Sequence, residues 1–343
     1  MEPTAPIALT MGEPAGIGGE ITLKAWAQRA ELGLPAFFAI DDPKRLERIS
    51  QTFNWPIEIT RISAPQDATE AFSRGLPVLE HALPGSITPG QPDPKNAKSV
   101  IAAIDAAVSY VQSGAASAVV TNPIHKHTLY KAGFDYPGHT EYLAALAGDY
   151  RPVMMLACDE LRTVPVTVHQ SLQDAIKSLN TEDIVQVSKI TAQALQSDFS
   201  ITRPHLMIAA LNPHGGENGA MGHEEQDIIV PAVNQLKADG YSVTGPAPAD
   251  TLFHARARET YDAVICMYHD QALIPLKTID FAGGVNITMG LPFVRTSPDH
   301  GTAFEIAGLG VADETSLVQA LKAAAGIAQR RASSRAKPIL HRA

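Results

Sequence analysis

The sequence predicts an α/β protein built on a mostly parallel sheet, and three observations predict it. Short apolar runs recur along the chain, among them residues 118–120, 206–211 and 263–268, each brief and sharply bounded like a buried strand. Between such runs lie segments with a helical apolar period. The plainest is 96–113, where Val100, Ile101, Ile104, Ala107, Val108 and Val111 share a face before Gly114 ends the helix. Polar residues suited to chemistry then follow the strands at once, where a parallel α/β sheet presents its carboxyl ends to a ligand. At 343 residues the chain exceeds one ordinary core and is expected to form two domains.

Residues 6–11 form the first strand, and Gly12-Glu13-Pro14-Ala15-Gly16-Ile17-Gly18-Gly19-Glu20 is a Gly-rich loop opening a helix through Trp26. Such a loop can offer backbone N–H groups to a phosphate, or it can simply be a tight turn. Its spacing does not match the dinucleotide fingerprint G-x-G-x-x-G. A second strand at 36–40 leads to a helix from Pro43, and 57–95 reads as short strands and loops. After the strand 118–120 come Thr121-Asn122-Pro123-Ile124-His125-Lys126-His127 and then Gly138-His139-Thr140-Glu141, where His139 or Thr140 could cap a helix over 142–147. Residues 152–158 and 161–168 read as paired strands, followed by a helix over 181–195 and a strand at 206–211. A helix from His223-Glu224-Glu225 runs to Ala238, and 245–251 is a loop carrying Asp250.

The window 263–308 holds the densest chemistry. His269 and Asp270 follow its strand, and Lys277, Asn286 and Arg295 come next among Gly283, Gly284, Gly290 and Pro292. That composition reads as loops and turns instead of a packed helix, and the window as the wall of an active site. His300-Gly301-Thr302-Ala303 then reads as a loop entering a helix at 304–308, with His300 able to cap it or to touch a cofactor.

Composition narrows the function. The chain is 45% apolar and 18% charged, with no run near the roughly 20 apolar residues that span a membrane. A formal net charge of −9 argues against nucleic-acid or anionic-membrane partners, so an anionic substrate would need a local cationic pocket such as Lys277 and Arg295 provide. Cys158 and Cys266 lie in apolar runs and are expected to be buried free thiols. The N-terminus lacks a basic segment followed by a long apolar core, and a cytoplasmic protein is expected. The basic tail 329–343, with Arg330, Arg331, Arg335, Lys337 and Arg342, reads as a solvated, frayed end.

His169, His214 and His269 each follow an apolar strand, in VPVTVH, LMIAALNPH and AVICMYH. Strand ends of a parallel sheet share one edge, so the three imidazoles could converge on a metal, although each could also be structural. His81, His205, His254 and His341 read as surface residues; His125 and His127 flank Lys126 in a loop, and His223 sits in a first helical turn. A divalent ion beside cationic anchors suits a phosphorylated or carboxylated substrate. Two classes of chemistry remain open on the residues alone: metal-assisted hydrolysis of a phosphate ester or amide, and metal-assisted oxidation of an alcohol with a nicotinamide taking hydride.

The motifs GEPAGIG (12–18), PGHTE (137–141), LNPHGGENGAMGHEE (211–225), GPAPADTLF (245–253), MYHDQALIPLK (267–277) and GVNITMGLPFVRTSPDHGTAFEIAG (284–308) resemble those of the 4-hydroxythreonine-4-phosphate dehydrogenase family of pyridoxine 5′-phosphate biosynthesis. The resemblance implies a two-domain α/β/α fold of the isocitrate/isopropylmalate dehydrogenase type with a cleft between the domains. It places one domain at about 1–135 plus 295–343 and the other at about 136–294. It implies metal ligands at His169, His214 and His269, with Zn²⁺, Mg²⁺ or Co²⁺ as the ion, and substrate contacts at His139, Thr140, Lys277, Asn286 and Arg295. Catalytic proton transfer would fall to Lys277, Asp250 or Asp270, the last also able to orient a metal ligand. Gly12, Gly16, His300 and Gly301 would contact NAD, or NADP, through a loop that replaces the usual fingerprint. A homodimer is implied, with the metal site completed across its interface. The implied reaction oxidises C3 of 4-phosphooxy-L-threonine and releases CO₂ to leave 3-amino-2-oxopropyl phosphate. Relatives with the same apparatus act on other phosphorylated hydroxy acids or on cyclic dihydrodiol carboxylates. Where the family often has GIGPE, this chain has Gly19 in place of the proline.

Overall fold

The computed structural model describes residues 5–148 and 150–335. They divide into two compact units. The first runs to Pro152 and resumes over Leu291–Gln329; the second is Val153–Gly290 with the residues from Arg330 on. Residues 136–148 and 150–152 lie in the first unit. Packing explains the assignment. Tyr142 and Leu143 are buried in the first unit's core beside Phe134, and the Phe134 and Tyr142 rings meet edge-on at 4.9 Å between centroids. Leu291 and Phe293 are buried in the same core.

Twelve strands occur among the described residues: β1 Ile7–Thr10, β2 Phe37–Asp41, β3 Ile59–Ile62, β4 Leu76–Glu80, β5 Ala118–Thr121, β6 Val153–Ala157, β7 Arg162–Pro165, β8 His205–Ala209, β9 Ser242–Ala247, β10 Ala263–Cys266, β11 Val285–Met289 and β12 Arg295–Pro298. In the first unit the order is β3-β4-β2-β1-β5-β12, with every pairing parallel. β1, β2 and β5 are buried at every residue, as expected of parallel strands covered on both faces. The helix Ala97–Gln112 buries Val100, Ala103, Ile104, Ala107 and Val108 at the helical period, and the helix Pro43–Thr52 starts where Asp42 accepts a hydrogen bond from Lys44 N at 2.9 Å.

In the second unit the order is β11-β6-β7-β10-β8-β9. The pairs β11–β6 and β6–β7 are antiparallel, and β7–β10, β10–β8 and β8–β9 are parallel. The paired strands expected at 152–158 and 161–168 are the β6–β7 hairpin. The helix Thr181–Phe199 begins at Asn180, whose side chain accepts from Asp183 N at 2.9 Å.

Four sequence expectations change. Residues 269–279 form a helix, not loops, despite Pro275 inside it. A proline there cannot donate to the Gln271 carbonyl four residues back, and that carbonyl accepts instead from Cys266 Sγ at 3.7 Å. Residues 300–310 form turns without a helix, because the Glu20 carboxylate takes up Gly308 N at 2.6 Å and Gly310 N at 2.9 Å. Residues 242–247 are strand β9, with Pro246 tolerated at the end of the strand order. The basic tail is helical as far as Arg335 within Thr315–Arg335, and Arg331 pairs with the buried Asp198 at 2.6 Å. Lys337, His341 and Arg342 lie outside the described residues. Cys158 and Cys266 are free thiols as expected, Cys266 fully buried and Cys158 half-buried. Among the described residues no helix is long and apolar enough to cross a membrane.

Candidate active site

In the second unit β7, β10 and β8 are adjacent parallel strands, so the segments after them leave one edge together, carrying His169, His269 and His214. The structure brings two of these imidazoles together: the ring centroids of His169 and His269 lie 6.3 Å apart. Two neighbouring imidazoles supply the donor chemistry of a divalent-metal site. His269 Nδ1 meets Asp270 Oδ1 at 2.6 Å, which fixes the ring and leaves Nε2 to face a ligand. His169, His269, Asp270 and Leu172 line a cavity of about 460 Å³. His214 is not gathered with them. Among the described residues no group of three or more His, Cys, Asp or Glu comes together as one chain's metal site.

His214 instead stands exposed in a turn of five consecutive left-handed residues, His214 to Asn218, with φ between 45° and 77°. Gly215 and Gly216 adopt this without penalty; His214, Glu217 and Asn218 do so at roughly 1–2 kcal/mol each. A buried carboxylate offsets that strain. Glu225 accepts from Leu211 N at 2.8 Å, Asn212 N at 2.7 Å and Asn212 Nδ2 at 2.9 Å, and Glu224 takes the same amide at 2.7 Å. The turn that carries His214 is thus clamped at its base.

In the first unit a different cluster forms. Arg295, at the start of β12, is 3% exposed and donates from Nη2 to Thr121 Oγ1 at 2.7 Å, across from β5. Burial lowers its pKa to about 10, with the Glu141 carboxylate opposing. Holding the charge at neutral pH therefore costs roughly 3 kcal/mol, which a bound anion would offset. His139 keeps some exposure, but its Nε2 is sealed from solvent and has no hydrogen-bond partner. Burial, then Arg295 and Lys126, push its pKa well below 6.5, so the ring is neutral at physiological pH. A buried guanidinium beside a neutral imidazole with an unused nitrogen suits an oxyanion. Neither His139 nor Thr140 caps the helix His139–Ala147: its N-cap is Gly138, with no side-chain capping bond.

The remaining candidates separate. Asn286, on β11, donates from Nδ2 to Met154 Sδ at 3.4 Å, while its buried Oδ1 has no hydrogen-bond partner and is available to a donor. Lys277 sits on the helix His269–Ile279 with Nζ 5.3 Å above the Phe281 ring. Asp250 is exposed in the turn Ala249–Thr251.

The Gly-rich loop is already occupied by protein. Glu13 N donates to Pro123 O at 2.8 Å, Gly16 N to Glu13 O at 3.0 Å and Ile17 N to Thr302 O at 3.1 Å. A Cβ at Gly12 would lie 2.6 Å from Pro123 O, and one at Gly16 2.8 Å from Thr302 O. These glycines permit close backbone packing, the tight-turn alternative of the two open from sequence. Gly19 is similar: a Cβ there would lie 2.7 Å from Ile49 Cδ1 and 3.0 Å from the buried Arg45 guanidinium. His300 bonds Gly301 O through Nδ1 at 2.9 Å, leaving a buried Nε2 without a partner, and a Cβ at Gly301 would meet nothing within 4 Å. That pair is the part of the expected nicotinamide contact with free hydrogen-bonding capacity.

Sequence reasoning gave no role to Lys126, Glu141 or Glu225. Glu141 and Glu225 lie within the quoted motifs, and Lys126 was noted only as the residue between two histidines.

Comparison with known proteins agrees with the resemblance. A family model described as pyridoxal phosphate biosynthetic protein PdxA matches residues 34–324. A 4-hydroxythreonine-4-phosphate dehydrogenase of Bradyrhizobium diazoefficiens is 51% identical over 335 residues, 94% of this chain and 97% of the relative. The crystal structure of a 4-hydroxythreonine-4-phosphate dehydrogenase from Klebsiella pneumoniae matches with TM-score 0.84 at 39% identity, covering 95% of this chain and 100% of that one. A terephthalate 1,2-cis-dihydrodiol dehydrogenase from Burkholderia xenovorans matches with TM-score 0.62 at 26% identity, covering 94% and 98%. The paired imidazoles, the anion-ready arginine and these matches along nearly the full length lead to one conclusion: the chain belongs to the PdxA family of pyridoxal phosphate biosynthetic proteins.

Proposed function

We propose that the protein oxidises 4-phosphooxy-L-threonine at C3 with a nicotinamide cofactor, then releases CO₂ to give 3-amino-2-oxopropyl phosphate. The observation that carries this reading is the pairing, in one family member, of a metal-capable imidazole pair with a buried arginine beside a neutral imidazole. In the balanced reaction the C3–H bond gives hydride to NAD⁺ or NADP⁺ and the hydroxyl gives its proton to a base. The resulting β-keto acid then breaks its carboxyl C–C bond, and the carbanion equivalent takes a proton.

His169 and His269 would hold a divalent ion, with Asp270 orienting His269. That ion, when bound, supplies Lewis-acid stabilisation of negative charge developing on the C3 oxygen. His300 and Gly301 would face the nicotinamide cofactor, which supplies the hydride acceptor. Arg295, His139 and Thr140 would hold an oxyanion of the substrate, and Asn286 Oδ1 would accept from its ammonium or hydroxyl. Lys277 is the proposed proton carrier for C3, because its ammonium sits on the helix that His269 begins, whereas Asp250 stands on a separate exposed turn.

The active form is proposed to be a homodimer in which His214 of one chain completes the partner's metal site. Two features support it. One chain gathers only two of the three histidines, and the second unit leaves Leu172, Ile176, Met221, Ile274 and Phe281 exposed.

The test is NADH formation from 4-phosphooxy-L-threonine and NAD⁺ with Zn²⁺, Mg²⁺ or Co²⁺ added to chelator-treated protein. Absorbance should rise only with metal, and His214→Ala should abolish it. Turnover of a cyclic dihydrodiol carboxylate but not of 4-phosphooxy-L-threonine would sink the substrate assignment, and phosphate release without NADH would sink the dehydrogenase reading.

A further inference from the structure

Lys126 follows β5 and opens the short helix Lys126–Tyr130. Its ammonium makes no hydrogen bond or ion pair with the described residues, yet it lies close enough to His139 to raise the cost of protonating that ring. Position is given by Gly138: a Cβ there would lie 3.5 Å from Lys126 Cε, 3.7 Å from Lys126 Nζ and 3.5 Å from Glu141 Oε2. Lysine head and glutamate carboxylate therefore border the residue immediately before His139. Glu141 Oε2 is buried without a hydrogen-bond partner, and its charge acts on Arg295.

The charges decide which ligand fits. Arg295 and Lys126 are cations, His139 is neutral and Glu141 is the single acid among them, so the cluster is net positive around the unsatisfied His139 Nε2. A carboxylate would be matched by Arg295 alone. A phosphate dianion needs a second cation, and a lysine acts on phosphate as a mobile point charge beside an arginine fork.

We propose that Lys126 is a further substrate-binding residue, one that closes on the phosphate group held by Arg295 and His139. Lys126 reaches in from the exposed end of its helix while Arg295 is fixed from within, so the seat has one rigid and one movable cation. Glu141 lowers the cost of the buried Arg295 charge and offsets part of the charge of Lys126. The inference rests on the substrate reading above and assigns a residue that reading does not use.

The test is steady-state kinetics of the metal-loaded enzyme with Lys126→Gln and Lys126→Arg. Lys126→Gln should raise KM for 4-phosphooxy-L-threonine about ten- to a hundredfold, with kcat changing far less, as loss of one charged contact implies. Inorganic phosphate should weaken as a competitive inhibitor in step, and Lys126→Arg should restore both constants to within about threefold. Unchanged KM in Lys126→Gln would overturn the proposal. So would a variant in which acetate inhibition is lost while phosphate inhibition is kept, because that result puts Lys126 at the carboxylate end. A parallel measurement, thermal protection by inorganic phosphate alone, separates the two readings. Protection lost in Lys126→Gln upholds the phosphate seat even if the wild-type protein makes no NADH, and equal protection in both proteins overturns it.

Discussion

Burial sets the charge states of His139 and Arg295 in the first unit. Arg295 stays charged because a pKa of about 10 is still far above neutrality, and His139 stays neutral because burial and two nearby cations oppose its protonation. The imidazole has a consequence for stability. Its folded pKa is below the unfolded value, so stability is fully present above about pH 6.5 and declines as pH falls below it, where the unfolded chain binds the extra proton. Urea unfolding at pH 7.5 and 5.5 should show the wild type losing more stability than His139→Gln, by at most roughly 1.4 kcal/mol per pH unit. Equal losses would mean that the ring is protonated in the folded protein. At this scale His139 and Arg295 were legible because their motifs carry them. Lys126 was not, since its closeness to Gly138 depends on how two loops fold back on each other.

The segment from Leu211 to Glu225 shows what an element adds to a residue. Its sequence places a histidine after a strand, but five left-handed residues and a buried carboxylate decide where that histidine stands. Glu225→Gln should remove a charged acceptor from three N–H donors and cost about 1–3 kcal/mol in urea unfolding. Zinc affinity, measured by competition with a chromogenic chelator, should fall with it. Glu217→Gln, on an exposed side chain of the same turn, should stay within about 0.5 kcal/mol of wild type. Equal effects of the two changes would remove Glu225 as the clamp. The helix His269–Ile279 teaches the converse. Its proline and the glycines after it resemble a loop, and the Cys266 thiol, five residues before Gln271, explains why the Gln271 carbonyl is not left bare.

A chain that exposes Leu172 at 57%, Ile274 at 63% and Phe281 at 79%, all in the unit that carries the three histidines, presents apolar surface that water penalises. Sedimentation should find a dimer, and the double variant Ile176→Glu with Ile274→Glu should shift it toward monomer. Metal affinity and NADH formation should then fall together and recover at higher protein concentration. A fully active monomer would end the shared-site reading.

By itself the sequence determined the α/β class, the strands that bury both faces, the three histidines at neighbouring strand ends and the family. Each of these rests on local patterning or on motifs, where residue type and spacing are the whole signal. Tertiary structure alone decided that the Gly-rich loop spends its amides on Pro123, Glu13 and Thr302, and that residues 300–310 are pinned by Glu20. It also decided that 136–148 joins the first unit and that two of three histidines meet within one chain. The reason is common to all four: each depends on which distant backbone or side chain satisfies a buried polar group or covers an apolar one, and that pairing is set by packing, not by spacing along the chain.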